Sequence, residues 1–213
     1  MLIRKPLLLL TMLFSLAFAG AARAADYELV QPPQPTEVGG KIQVMEFFWY
    51  GCPHCYHLED SVEQYLKNLP SDVAFVRVPA YPSESWGDMA RMYYTIQAMG
   101  LESTMHRKIF DAIHKDHVNL VNPKIRDEWL AKNGVDPKKY DDVAKSFTVV
   151  SNLQRAKQLT QAFKVDSVPR LVVGGKYYTS GETAGGPERI FPVVDEMVAK
   201  VRSDTGRPAP KAK

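Results

Sequence analysis

The 213-residue chain contains only two cysteines, Cys52 and Cys55, with two residues between them. That scarcity excludes a small scaffold stapled by several disulfides. A bridge between such close neighbours encloses almost no loop and would stabilise the fold little, so the pair invites a chemical reading. Long apolar runs are also missing. Leu7–Ala19 is too short to span a bilayer stably, which takes about 20 residues, and no later segment is long and apolar enough. Charge of one sign is not in excess: 27 Lys and Arg against 24 Asp and Glu leave +3, which points to neither nucleic acid nor a membrane surface. Of the five histidines, His114 and His117 are spaced to share a helical face. No further Cys or acidic cluster completes the four ligands a closed zinc site wants, so no metal and no cofactor are expected. His57 and His106 read as surface residues.

What is present begins with Arg4 and Lys5, the apolar stretch Leu7–Ala19 and the small-residue pattern Ala22-Arg23-Ala24. This is the layout of a secretory signal peptide over residues 1–24, with cleavage after Ala24. The mature part is long enough to bury a substantial core without disulfides.

Asp26 to Thr36 is Pro-rich and polar and reads as an N-terminal arm. Lys41 to Tyr50 carries the run Val-Met-Glu-Phe-Phe-Trp-Tyr, suited to a strand buried on both faces, and Gly51 breaks it. From Pro53, at the favoured first position of a helix, Leu58, Val62, Tyr65, Leu66 and Leu69 recur at helical intervals until Pro70. Val73–Val78 is β-branched and predicts a second strand parallel to the first, completing a βαβ unit. Helical stripes then follow through about Ala156, with Asn122-Pro123 and Asp136-Pro137 as N-cap plus N1 signals. Arg170–Val173, Gly174-Gly175 and Lys176–Thr179 predict an antiparallel hairpin. A last helix carries Ile190, Val193, Val194, Met197 and Val201, and Asp204–Lys213 reads as a disordered tail.

Strand, Cys-x-x-Cys opening a helix, strand, helical insert, x-Pro, hairpin and closing helix is the element order of the thioredoxin fold with an insert. Phe47-Phe48-x-x-Gly51-Cys52-Pro53-His54-Cys55-Tyr56, Ser167-Val168-Pro169 and Gly175-Lys176-Tyr177 closely resemble the DsbA family of periplasmic disulfide oxidoreductases. The expected architecture is therefore α/β: a discontinuous thioredoxin-like domain over 25–82 and 157–203, an all-helical insert over 83–156, and a tail over 204–213. The resemblance implies a monomeric donor of disulfides to exported proteins, reoxidised by a quinone-linked membrane partner of the DsbB type. It also implies a cis Val168–Pro169 bond against the cysteines, with the Val168 backbone pairing with an extended substrate.

The residues themselves assign unequal roles to the two thiols. Cys52 lies at the first turn of a helix, where unpaired N–H groups and the helix dipole favour negative charge; Cys55, one turn in, lies on the apolar face. Cys52 is expected to exchange with substrate and Cys55 to resolve. In the resembled family the attacking thiol titrates near ~3.5 rather than ~8.5, on the order of 7 kcal/mol in favour of the reduced form. His54 is expected to be the principal tuner of that thiol, and Pro53 to be structural. Glu46 interrupts an apolar strand, and a buried carboxylate is costly unless paired. Where the family has a Lys on the next strand, this chain has Arg77, which stays protonated; it would hold Glu46 ionised, leaving the two as a proton relay or a plain ion pair. Glu59 reads as a solvated helix residue. Mass spectrometry of protein exported from a bacterial host should find a chain beginning at Ala25; a product that keeps Leu7–Ala19 would contradict the signal-peptide reading.

Overall fold

The computed structural model describes residues 26–208. The expected signal peptide and its cleavage point lie outside the described residues, as does the end of the tail. Five strands form one mixed sheet in the order β1-β5-β4-β2-β3. Its centre is β2 (Ile42–Phe48), buried at every position, with β3 (Val73–Pro79) parallel on one side and β4 (Arg170–Val173) antiparallel on the other. Strand periodicity sends alternate residues of β2 to opposite faces. Ile42 and Val44 join Leu58 and Val62 of helix α1 (Pro53–Lys67) and the inner face of the C-terminal helix, while Met45 and Phe47 face the core of the helical insert.

β2 stops at Phe48 rather than at the expected Tyr50, because the chain turns at Trp49 to bring the cysteines over the sheet. The N-terminal arm is more ordered than its composition suggests. Glu28–Leu29 forms β1, antiparallel to β5 (Tyr177–Ser180), and Gln34 donates to the carbonyl of Gly175 at 2.9 Å. Gly174 and Gly175 both have positive φ, +59° and +67°, the turn geometry glycine supplies. At Gly175 a Cβ would lie 2.0 Å from the Gln34 carbonyl, so the arm fits only against glycine.

The insert is built from α2 (Gly87–Ala98), α3 (Glu102–His114), α4 (Pro123–Lys132), α5 (Pro137–Ala144) and α6 (Phe147–Ala162). Asn122 and Asp136 cap α4 and α5 as their sequence signals predict, each accepting from two amides of the first turn with Pro at the helix start. α6 is continuous through Ala156, so one helix carries the chain from the insert back to the sheet. The short α7 (Gly181–Ala184) follows β5, and α8 (Ile190–Asp204) closes the fold. Asp204, expected in the tail, ends α8 and accepts from the Tyr177 hydroxyl at 2.7 Å. His117 lies past the end of α3 with φ +55°, so it and His114 do not share a helical face.

Apolar residues of the insert differ sharply in what they hold together: Ile109 is 0 % exposed and Phe147 is 86 %. Ile109→Ala should cost about 2–5 kcal/mol in chemical unfolding, whereas Phe147→Ala should change stability by no more than about 0.5 kcal/mol. Equal losses at the two sites would contradict this placement of the core.

Candidate active site

After Phe48 the amide of Cys52 donates to the carbonyl of Trp49 at 2.9 Å, closing a tight turn with Tyr50 and Gly51 at its centre. The Trp49 indole folds over Gly51 so closely that a Cβ there would sit 2.4 Å from the ring. The same indole stacks on Trp86, with centroids 4.2 Å apart. Cys52 then takes the N-cap position of α1 in extended backbone, followed by Pro53 at the helix start. Proline has no N–H, so the first amides offered to the N-cap side chain are those of His54 and Cys55, the two positions an N-cap group reaches.

Both cysteines are free thiols; Cys52 is 8 % exposed and Cys55 1 %. Cys52 is pulled from 9.0 down to about 6, first by a hydrogen bond from the Cys55 thiol, then by the Cys55 and His54 amides, with burial opposing. The His54 imidazole contributes least. This departs from the expectation that it leads, and its exposure to solvent explains why its charge counts for little. Burial, and then the bond to Cys52, push Cys55 well above the ordinary thiol range. The two thiols are thus separated: Cys52 ionises at neutral pH and Cys55 keeps its proton. A thiol one unit below pH 7 favours the reduced form by about 1.4 kcal/mol, worth about 30 mV. A family thiol near ~3.5, counted below the same pH 7, would give about 5 kcal/mol, so the smaller figure here follows from Cys52 lying at about 6.

The Val168–Pro169 bond is cis, and the Val168 carbonyl accepts from the Cys52 thiol at 3.4 Å. Arg170, the next residue, is buried; it donates to the Lys164 carbonyl at 3.0 Å and to Asp166, holding the loop that carries Val168. A groove of about 430 Å³ opens beside the pair, lined among others by His54, Leu58, Val168, Pro169, Pro187 and Ile190.

Beneath the pair lies a buried charge cluster wider than the two residues picked out from the sequence. Glu46 and Arg77 are opposite one another in the β2–β3 register, with Arg77 Nε 3.4 Å from Glu46. Arg77 also lies 3.3 Å from Glu59 and 3.5 Å from Glu102. Its charge is therefore divided among three carboxylates, and both Glu46 oxygens lack a hydrogen-bond partner. Burial first, and the Glu59 charge second, raise Glu46 to about 8 against the pull of Arg77, so Glu46 is a neutral acid at pH 7 and not the ionised partner expected. Glu59 is buried, not solvated. His106, Arg77 and Arg107 hold it ionised against burial, lowering it below the ordinary carboxylate range. His106 is buried as well, between Glu59 Oε1 at 3.3 Å and the Tyr50 hydroxyl at 2.8 Å. Glu59 lies four residues after Cys55 and so on its helical face, and His106 sits in the buried stripe Met105, Ile109, Phe110; those spacings are the signals that point to both. A cleft of about 620 Å³, lined in part by Glu59, Arg77, Glu102 and His106, opens the cluster to solvent away from the thiols.

Alkylation of Cys52 by iodoacetamide should be half-maximal near pH 6. Because its value is depressed in the folded dithiol form, its contribution to stability is complete above the free-thiol value of about 9 and is lost as pH falls through about 6. The difference in stability between reduced and oxidised protein should therefore narrow from pH 9 to pH 5; an alkylation midpoint near 9 would overturn the assignment.

The DSBA-like thioredoxin domain family matches residues 72–196, from the end of the βαβ unit into α8. The thiol:disulfide interchange protein DsbA of Pseudomonas aeruginosa is 40% identical over 204 residues, covering 92% of this chain and 97% of that protein. The one from Azotobacter vinelandii is 43% identical over 169 residues, 79% of each. Among solved structures, the crystal structure of Pseudomonas aeruginosa DsbA superposes with a TM-score of 0.81 at 38% identity, covering 86% of this chain and 95% of that one. NmDsbA1 of Neisseria meningitidis gives 0.76 at 27% identity, covering 88% and 97%. A Cys-Pro-His-Cys pair at the start of α1, a cis-proline loop against it, this fold and relatives of this extent have one conclusion: the chain belongs to the DsbA family of thiol:disulfide oxidoreductases, with Cys52 and Cys55 as its redox pair.

Proposed function

We propose that this oxidoreductase works as a dithiol oxidase in the bacterial periplasm, brought there by the segment 1–24, and gives its Cys52–Cys55 disulfide to exported proteins. The observation that carries this reading is the separation of the two thiols, a Cys52 thiolate at a helix start beside an open groove and a buried, protonated Cys55. Stabilising the thiolate stabilises the reduced form, which makes the disulfide form an oxidant.

In the oxidised protein a client thiolate attacks Cys52 sulfur, the Cys52–Cys55 bond breaks, and Cys55 leaves. Its raised proton affinity means that it takes up a proton as it goes, and neutral Glu46 is the nearby acid that supplies one. A second client thiolate then attacks the client sulfur of the mixed disulfide. Cys52 departs as a thiolate, the client is oxidised by two electrons, and the Cys52/Cys55 pair is reduced. Val168 and Pro169 border the groove and offer an extended client backbone a place to pair. Reoxidation by a quinone-linked membrane oxidase of the DsbB type returns the electrons, and the protein acts as a monomer. Arg77 balances the cluster and, being permanently charged, carries no proton itself.

Equilibration with glutathione buffers reads the direction: a potential near the thioredoxin value of about −270 mV would rule out a donor and favour a reductant. Cys55→Ser has no disulfide to donate, but its Cys52 thiolate should open the disulfide of an already oxidised client and hold it as a mixed disulfide that no Cys55 thiol can release, and Cys52→Ser together with Cys55→Ser should abolish client oxidation; oxidation that persists would favour a chaperone-like holder. Glu46→Gln should slow disulfide transfer at pH 7 by about a hundredfold or more while leaving the Cys52 alkylation midpoint close to 6.

A further inference from the structure

The helical insert grips the turn ahead of the cysteines at both ends of one side chain. Tyr50 is fully buried and occupies the centre of the turn that Cys52 closes through its amide. Its hydroxyl lies 2.8 Å from His106 Nδ1, and its backbone carbonyl 2.7 Å from His114 Nε2. Both histidines belong to α3, in the insert and not in the redox domain. The hydrogen-bond directions follow from the partners. A carbonyl only accepts, so His114 Nε2 carries a proton and donates. Ionised Glu59 accepts from His106 Nε2, and the Tyr50 hydroxyl and His106 Nδ1 share one hydrogen bond; burial keeps that hydroxyl protonated. Each imidazole is itself held, His114 stacked on Tyr56 at 5.0 Å and 15° and His106 packed edge-on to Phe48 and Phe110. Tyr56 is fixed in turn by donating to Asp111 at 3.0 Å.

We infer that His106 and His114 are positioning residues: by holding Tyr50 at its hydroxyl and its carbonyl, they fix the turn that sets Cys52 against the first amides of α1. The carbonyl at this place in a tight turn has no backbone donor, so without His114 the peptide between Tyr50 and Gly51 is free to rotate. Cys52 sulfur then drifts from the His54 and Cys55 amides that stabilise its charge. On this view the insert does more than shelter the redox pair; α3 keeps it in register. The inference rests on Cys52 being the attacking thiol.

The test uses the full mature protein and two readings, the pH midpoint of Cys52 alkylation and the rate of oxidation of a dithiol client peptide. His114→Ala should raise the midpoint above that of the unaltered protein and slow oxidation on the order of tenfold, as misplacement of a reacting group does. His114→Gln, which keeps a side-chain N–H near the place of Nε2, should bring both readings back towards those of the unaltered protein. Tyr50→Phe, which releases only the His106 end, should raise the midpoint by a smaller amount. His117→Ala, an exposed histidine beyond the helix, should change neither reading. A folded His114→Ala protein with an unchanged midpoint and rate, whatever its melting temperature, overturns the inference, and so does a Gln variant no better than Ala. If the Ala variant does not fold, Tyr50→Phe decides: an unchanged midpoint overturns the inference and a raised one supports it. Alkylation is read at Cys52 itself and vanishes in Cys52→Ser whatever the client, so failure of the clamp is distinguishable from failure of the donor reading.

Discussion

Two backbone amides at the start of α1 have no partner within the helix, and one sulfur stands where they point. Every helix begins with such unsatisfied donors; here Pro53 removes one of them, and Cys52 stands at the N-cap, where the His54 and Cys55 amides favour its charged form. The rest of the molecule keeps that geometry in place. β2 is buried along its length and delivers the chain to the helix at one position, the Trp49–Cys52 turn closes with no room for a side chain at Gly51, and the cis-proline loop sets a carbonyl against the same sulfur. An acidic thiol results first from the Cys55 thiol and then from the backbone amides, against burial, and only last from the imidazole between the cysteines.

Separation of two chemically identical groups is the second consequence. Cys55 is one turn away, yet burial reverses the direction of its shift. Below it the same competition between desolvation and charge is played out among carboxylates. Arg77 faces Glu46, Glu59 and Glu102 with one positive charge, and the carboxylate with no hydrogen bond, Glu46, is the one left neutral. Glu59, with His106 as a further partner, keeps its charge. A buried acid that is neutral near pH 7 is suited to serve a thiol that must gain and lose a proton, which a simple Glu–Arg ion pair is not.

Much of this was legible because it rests on local rules. Pro at N1 after Cys52, Asn122 and Asp136 as caps, the apolar run of β2 and the paired glycines of the hairpin all act within a few residues, and the elements formed at those signals, with β2 ending two residues early. The pairing of Glu46 with Arg77 came from the family resemblance, which implies a basic residue on the next strand, and the β2–β3 register sets the two opposite one another. Glu59 and His106 were misread as solvated because polarity suggests the surface, and their burial depends on each other and on Arg77, which lie on three separate elements. β1 and the ordered arm were missed for a like reason: Glu28–Leu29 is too short to show a period and exists only because β5 offers it an edge.

By itself, then, the sequence determined the order of elements, the redox pair and its place at a helix start, because those depend on spacing, on Pro and Gly geometry and on apolar periodicity. Only the tertiary structure decided how the charges near the pair are distributed. Desolvation and Coulomb interaction depend on distances between residues far apart in the chain: Val168 against Cys52, Arg77 among three carboxylates, and two histidines of the insert on Tyr50. They are properties of the closed fold and of no single segment.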